Sequence, residues 1–503
     1  MANSEEQVVS FHAYMKTITD FNSAIALLDW DSRTKMPKKG VAGRSEALGT
    51  LSSTVFQMQV SPAMGAFLEA LEPNADNLDQ KTKRMLETSR KFYDLNQKIP
   101  AERFHEFVVL RSQAEAVWQE ARAQSDFSMF APYLEKIVAM TKEFIGYWGY
   151  KDHPYNTLLD MYEEGLTVSV LDPLFAQVRK QTLTLLDKIK SSPQLDTSFL
   201  ERRFDPIKQR QFSEFILTQM GYDFDAGRLD ETAHPFATGI APGDVRVTTR
   251  YLPNFFNSAL FGSIHEGGHA LYEQNISDDL AGTPLHTGVS MSIHESQSRF
   301  WENIIGRSHE FWQRYFPDLQ KLFPAELGDV NIDQFYAAVN AVSPSLIRVE
   351  ADEVTYNLHI MIRYELEKAL ITGDLQVADL PSAWNEKMHD YLGVTPPDDR
   401  DGVLQDVHWS DGSFGYFPSY SLGNIYGAQI ARALEKDMPD YHDQVAKGEF
   451  AGIRSWLKTH IHQYGALYKP EEILHKATGG GVDTSAIFDY FEKKFAHLYG
   501  FTK

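Results

Sequence analysis

The chain has 503 residues, of which 43% are hydrophobic and 23% charged, a make-up that excludes a disordered or fibrous protein and fits an ordinary globular one. A formal charge of -21 excludes the basic surface that a phosphate backbone requires, so no nucleic-acid partner is expected. Cysteine is absent, which removes disulfides, thiolate ligands and a cysteine nucleophile and leaves His, Asp and Glu to hold any metal.

The opening stretch MANSEEQVVSFHAYMKTITDF carries early acids and no basic region followed by an apolar block, which is not the pattern of a secretory leader. Apolar runs such as SAIALL (23–28) fall far short of the roughly 20 residues that span a bilayer. A cytoplasmic protein without a membrane partner is therefore expected, and the sequon Asn275-Ile276-Ser277 is read as coincidence. Further along, apolar residues recur at three- and four-residue intervals in DQKTKRMLETSRKFYDL (79–95) and NLHIMIRYELEKALI (357–371), which predicts amphipathic helices. Breaks fall at HPYN (153–156), SSPQLD (191–196), TPPDDRDG (395–402) and TGGGVD (478–483). No repeat or low-complexity linker interrupts this pattern, so a mainly α fold is expected, forming one large domain over 1–503 with room for two lobes. The main strand is predicted in DVRVTTRYL (244–252), where alternation puts Asp244, Arg246, Thr248 and Arg250 on one side and Val245, Val247, Thr249 and Tyr251 on the other.

His265-Glu266-Gly267-Gly268-His269 follows, an H-E-x-x-H pattern in an apolar segment of helical period. Histidines four apart stack on one helix face, so both imidazoles reach one ion while the glutamate between them lies near as a base. With 17 histidines, chance would supply the pattern at about 0.04 per chain of this composition. A second helix, MSIHESQSRFWENIIG (291–306), supplies support: Glu295 lies 26 positions beyond His269 (295 − 269 = 26), where a carboxylate third ligand is expected. His294 points about 100° away and reads as an outer or packing residue. Two histidines and one carboxylate suit zinc with an open position for water, which Glu266 would deprotonate for attack on a peptide carbonyl.

The paired glycines each cost a helix roughly 0.5–1 kcal/mol relative to alanine. With His265 set at 0°, steps of about 100° put His269 near 40°, Gly268 near −60° and Gly267 near 200°. Gly268 should thus leave room beside the metal, for substrate or for the helix bearing Glu295. Gly267 should face a neighbouring helix on the far side.

Six short motifs in order carry a family likeness: H-P-F at His234–Phe236, D-x-R-x-T at Asp244–Thr248, H-E-x-x-H, H-E-S at His294–Ser296, I-R-x-x-A-D at Ile347–Asp352, and G-x-x-Q-D-x-H-W at Gly402–Trp409. With LDWDSRTKMP near the start, the chain resembles the carboxypeptidase Taq family of metallocarboxypeptidases, peptidase family M32. The resemblance implies a large helical fold with a deep cleft and a small β-sheet beside the active site, in outline like neurolysin and angiotensin-converting enzyme. It also implies homodimers that remove carboxy-terminal residues with broad specificity and act poorly at proline, using zinc or cobalt. His265, His269 and Glu295 become ligands and Glu266 the base.

Arg348 is the leading anchor for the substrate carboxylate by this resemblance, since a guanidinium fork suits a carboxylate. Its structural alternative is a helix pair with Asp352. Arg246 is the rival anchor, or else pairs with Asp244, and the strand carrying Asp244, Arg246 and Thr248 is expected to offer an edge to an extended peptide. In the glycine-rich segment 402–423, His408 and Tyr420 are the expected oxyanion donors, with Tyr416 the alternative, and Gln405 and Asp406 brace the loop. Two other functions stay open: an oligoendopeptidase of the same architecture, and an inactive peptide-binding homologue, which would have no need of Glu266.

Overall fold

In the computed structural model, which describes residues 4–502, Phe256–Gln274 is a helix buried on almost every side. Phe256, Leu260, Phe261, Ile264 and Leu271 all lie in the core, as expected of a helix packed around its whole circumference. It sits in the first of two compact units, built from Met1–Gln97, Asp196–Val339 and Tyr426–Val482. One neighbour is the helix Pro206–Met220, which starts on the Asp205 cap with proline in its first turn and stops at Gly221, φ 91°. Gly267 faces that helix: a Cβ there would stand 2.5 Å from Leu217 Cδ2. Gly268 faces Met291–Arg299, where a Cβ would stand 2.7 Å from the Gln297 carbonyl oxygen. Each glycine therefore admits a different helix, and the open choice for Gly268 resolves to the helix that carries Glu295.

Ser290 caps Met291–Arg299, its Oγ accepting the Ile293 N–H at 3.2 Å. The helix then widens into a π-helical turn, Phe300–Ile305, every residue of which is buried. A π-turn adds a residue per turn and redirects the side chains after it, and such turns often occur at functional sites. Phe204 stacks on Phe256 with centroids 4.6 Å apart and meets Phe323 edge-on, closing the core below.

The same unit holds a three-stranded sheet: β1 (Gly227–Glu231), β2 (Ala237–Ala241) and β3 (Asp244–Thr249), in the order β1-β3-β2. β3 pairs parallel with β1 and antiparallel with β2, so the predicted strand is central and both its edges are taken. The expectation that it offers an edge for strand addition is corrected on that ground. Local alternation predicted a strand there but carried no information about its neighbours.

The second unit comprises Lys98–Leu195, Asn340–Ile425 and Asp483–Lys503. Its spine is Tyr356–Thr372, with Leu358, Ile360, Ile362, Arg363 and Glu367 all fully buried. The four breaks fall outside helices or at their ends. The chain is mainly α-helical with one small sheet, and among the described residues no helix is long and apolar enough to cross a membrane.

Candidate metal centre

Stacked one turn apart, His265 and His269 turn their Nε2 atoms toward Glu295 Oε2, at 3.5 and 3.3 Å. Two donors about 2.05 Å from a tetrahedral ion stand roughly 3.3 Å apart, so both spacings suit a single small metal ion, and the three atoms all lie within 4.8 Å of one another. They form the one such cluster found among the described residues. The two Glu295 oxygens are used differently: Oε1 accepts from Arg299 Nε at 2.7 Å, and Oε2 faces the histidines and accepts from the Ser298 hydroxyl at 3.0 Å.

Behind each histidine stands a polar partner. His265 Nδ1 meets Glu302 Oε2 at 2.9 Å, and Glu302 also accepts from Arg299 and Arg307. His269 Nδ1 meets His294 Nδ1 at 2.6 Å, and His294 Nε2 meets Glu273 at 2.9 Å. Burial raises the Glu302 carboxyl, yet Arg299, His265 and Arg307 outweigh it and hold the group at about 2. Glu295 is likewise kept well below the ordinary range, against burial, by Arg299 and His265. Burial lowers His265 too, but Glu295 and Glu302 prevail and raise it to about 10, the mark of a site that draws positive charge. His269 is pushed down to about 3 by burial, which keeps its ring neutral. Glu266, buried beside these groups, has its carboxyl pushed up by burial to about 7.

Glu302, Glu273 and Arg299 were missed in the sequence. Only Glu302 left a faint signal, seven positions after Glu295 (302 − 295 = 7).

The other candidates divide between the two units. In the first, Arg246 clasps Asp244 through Nε and Nη2 at 2.7 and 2.8 Å and lies over the Trp30 ring, 4.3 Å from its centroid. Arg228 covers the same ring, and Lys35 pairs with Asp230 at 2.8 Å, so LDWDSRTKMP packs against the sheet. Thr248 is fully buried, its Oγ1 bonded to the Phe236 N–H and carbonyl at 2.8 and 2.9 Å. Asp244, Arg246 and Thr248 thus brace the sheet, through the Arg246–Asp244 pair and the Thr248 bonds to Phe236.

In the second unit Arg348 is buried in a single 3-10 turn, Arg348–Glu350, so the helix pair with Asp352 does not form. Its Nε and Nη2 reach Asp406 Oδ1 at 3.0 and 2.7 Å, and Nη1 donates to the Tyr356 hydroxyl at 2.9 Å. Arg363, fully buried, takes the other Asp406 oxygen through Nε at 2.6 Å. Gln405 accepts from the Arg348 N–H and from Arg363 and donates to the Leu346 carbonyl, bracing the loop as expected. His408 Nε2 lies 3.3 Å from the Tyr420 hydroxyl, and its ring packs on Phe417 and Tyr416. Burial pushes His408 down to about 4.

A mainly helical protein that aims two helix-borne histidines and a glutamate at one point has the design of a metallopeptidase. The family model of the carboxypeptidase Taq (M32) metallopeptidases matches residues 10–495. Carboxypeptidase 1 of Bacillus subtilis is 48% identical over 490 residues, 97% of this chain and 98% of that one. Thermostable carboxypeptidase 1 of Thermus thermophilus is 45% identical over 488 residues, 94% of this chain and 95% of that one. The crystal structure of an M32 carboxypeptidase from Deinococcus radiodurans superposes with a TM-score of 0.95 at 35% identity, covering 99% and 100% of the two chains. The chain belongs to the carboxypeptidase Taq (M32) family and is a metal-dependent carboxypeptidase, a peptide hydrolase.

Proposed function

We propose that the whole chain, 1–503, acts as one catalytic domain that releases carboxy-terminal residues from peptides bearing a free carboxylate. The convergence of His265 Nε2, His269 Nε2 and Glu295 Oε2 carries this reading. Zinc suits that donor set, with cobalt a substitute, and an ion bound there supplies Lewis acidity to a water and to the scissile carbonyl. Glu266, with a carboxyl near 7, takes the proton of the attacking water and passes it to the leaving nitrogen. His408 and Tyr420 are the proposed donors to the developing oxyanion, with Tyr416 the alternative to Tyr420.

The preference for a free carboxylate falls to Arg348. Two buried guanidiniums, Arg348 and Arg363, share the single carboxylate of Asp406, which leaves one positive charge in excess. A substrate carboxylate would neutralise it, and Arg348 keeps one N–H on each terminal nitrogen for the purpose. Broad specificity with poor cleavage at proline, a homodimeric state and a cytoplasmic location complete the proposal, on the family likeness.

The test is release of single amino acids from an amino-blocked dipeptide. It should stop with a chelator and return with zinc or cobalt. An amidated carboxy terminus should block it, whereas equal cleavage of the amide would favour the oligoendopeptidase. Glu266→Gln should keep its metal and lose turnover; a variant that still turns over would remove Glu266 from the chemistry.

A further inference from the structure

We infer that the helix Ser485–Tyr499 positions Arg348, with Lys494 and Tyr499 as the residues that hold its loop. Arg348 sits on the loop 343–352, whose regular structure is the single 3-10 turn Arg348–Glu350. A segment with so few backbone bonds of its own opens at low cost, so the place of its side chains depends on how its ends are held. Asp352 closes those ends. One of its oxygens accepts the Ser343 N–H at 3.1 Å and the Thr355 hydroxyl at 2.7 Å, and the other accepts the Val354 and Thr355 N–H groups at 3.0 and 2.9 Å.

The two residues that flank this closure, Val342 and Glu353, are both tied to the one helix. The Tyr499 hydroxyl accepts the Val342 N–H at 2.8 Å. Lys494 Nζ donates to Glu353 Oε1 and, at 2.9 Å, to the Tyr490 hydroxyl, which donates in turn to Glu353 Oε2 at 3.1 Å. Lys494 and Glu353 are only 7% and 9% exposed, and such side chains are almost never buried unless paired. Breaking a dry pair from one side leaves an uncompensated charge, so the pair holds one geometry far more firmly than a surface pair would. The helix itself is anchored by Ile487, Phe491 and Phe495 in the core, which makes it a fixed post. Arg348 is thereby held from two directions: its guanidinium by Asp406, and its backbone by a loop pinned on both sides of its closure.

Lys494 and Tyr499 are positioning residues, and the inference rests on the reading of Arg348 as the carboxylate anchor. The experiment measures kcat, KM and zinc content of the full chain with an amino-blocked dipeptide that has a free carboxylate. In Lys494→Met the loop loses its buried tie, and KM should rise about tenfold while kcat and zinc content stay at the wild-type level. Tyr499→Phe removes one hydroxyl and keeps the buried ring, so it serves even where the unpaired Glu353 unfolds the first variant; KM should rise about threefold. A helix that merely supports the fold would lower the thermal midpoint without this split between KM and kcat. On an Arg348→Ala background neither substitution should reduce kcat/KM further, because the group they position is gone. An unchanged KM in Tyr499→Phe, or a fall in kcat/KM on the Arg348→Ala background as large as on the wild type, would overturn the inference. An Arg348→Ala variant whose own KM stays at the wild-type level would instead remove the anchor reading beneath it.

Discussion

Gly268 lies so close to Ser298 that a Cβ added to the glycine would stand 2.7 Å from the serine Cα. That neighbour is backbone of the helix that carries Glu295, and backbone yields only by moving the helix. Gly268→Ala should therefore weaken zinc binding at least about tenfold. Gly267→Ala meets instead the tip of the Leu217 side chain at 2.5 Å, which can rotate away. It should lower the thermal midpoint while leaving metal affinity unchanged. Chelator competition and thermal unfolding on both variants check the division; the opposite pattern would refute it.

Asp406→Ala leaves Arg348 and Arg363 buried without the carboxylate they share. Breaking a buried ion pair from one side costs about 3–5 kcal/mol, because the remaining charge is uncompensated. Urea unfolding followed by fluorescence should register a loss of that order. A loss under about 1 kcal/mol would mean that the cluster is hydrated rather than dry.

Glu367 accepts from Tyr155, Trp409 and the Gly415 N–H, tying the helix Tyr356–Thr372 to the segment beside His408. Burial pushes its carboxyl up from 4.5 to about 7, with these hydrogen bonds opposing. A raised pKa means that the folded state holds the proton more tightly. The stabilisation is present in full below about 4.5, shrinks as pH rises and is gone above about 7, a change on the order of 3 kcal/mol. The thermal midpoint of the wild type should fall relative to that of Glu367→Gln from pH 5 to pH 8. A difference that stays constant across that range would count against it.

Thr248→Val removes a hydroxyl that satisfies both the N–H and the carbonyl of Phe236. Stability should fall by about 1–3 kcal/mol. KM for an amino-blocked dipeptide with a free carboxylate should move far less than in Arg348→Ala. A KM rise matching that of the arginine variant would place the strand in the substrate site.

The sequence was most legible where chemistry and periodicity coincide. Histidines four apart on a helix, a glutamate between them and another on the next helix mark the candidate metal centre by local rules, and the wheel separated Gly267 from Gly268. Pairing partners were not legible. β1 and β2, GRLDE and ATGIA, lack the alternation that marked β3, so its central place could not be read. The π-turn at Phe300–Ile305 has no local signature, and without it the position of Glu302 cannot be judged. Arg363 and Asp406 are 43 residues apart, a distance over which helical spacing says nothing.

Both compact units are discontinuous, and this bears on the order in which the protein is made. A ribosome has delivered every proposed ligand once residue 295 has emerged. Yet the bond that Gln297 makes within the ligand helix's surroundings, to the buried ring of His462 at 2.8 Å, must wait for a segment translated much later. Domains tend to fold as units during synthesis, from the amino terminus onward. Here the nascent chain holds its ligands on an unfinished scaffold for a long stretch of translation, and a fragment ending before Tyr426 would lack part of the unit that houses them.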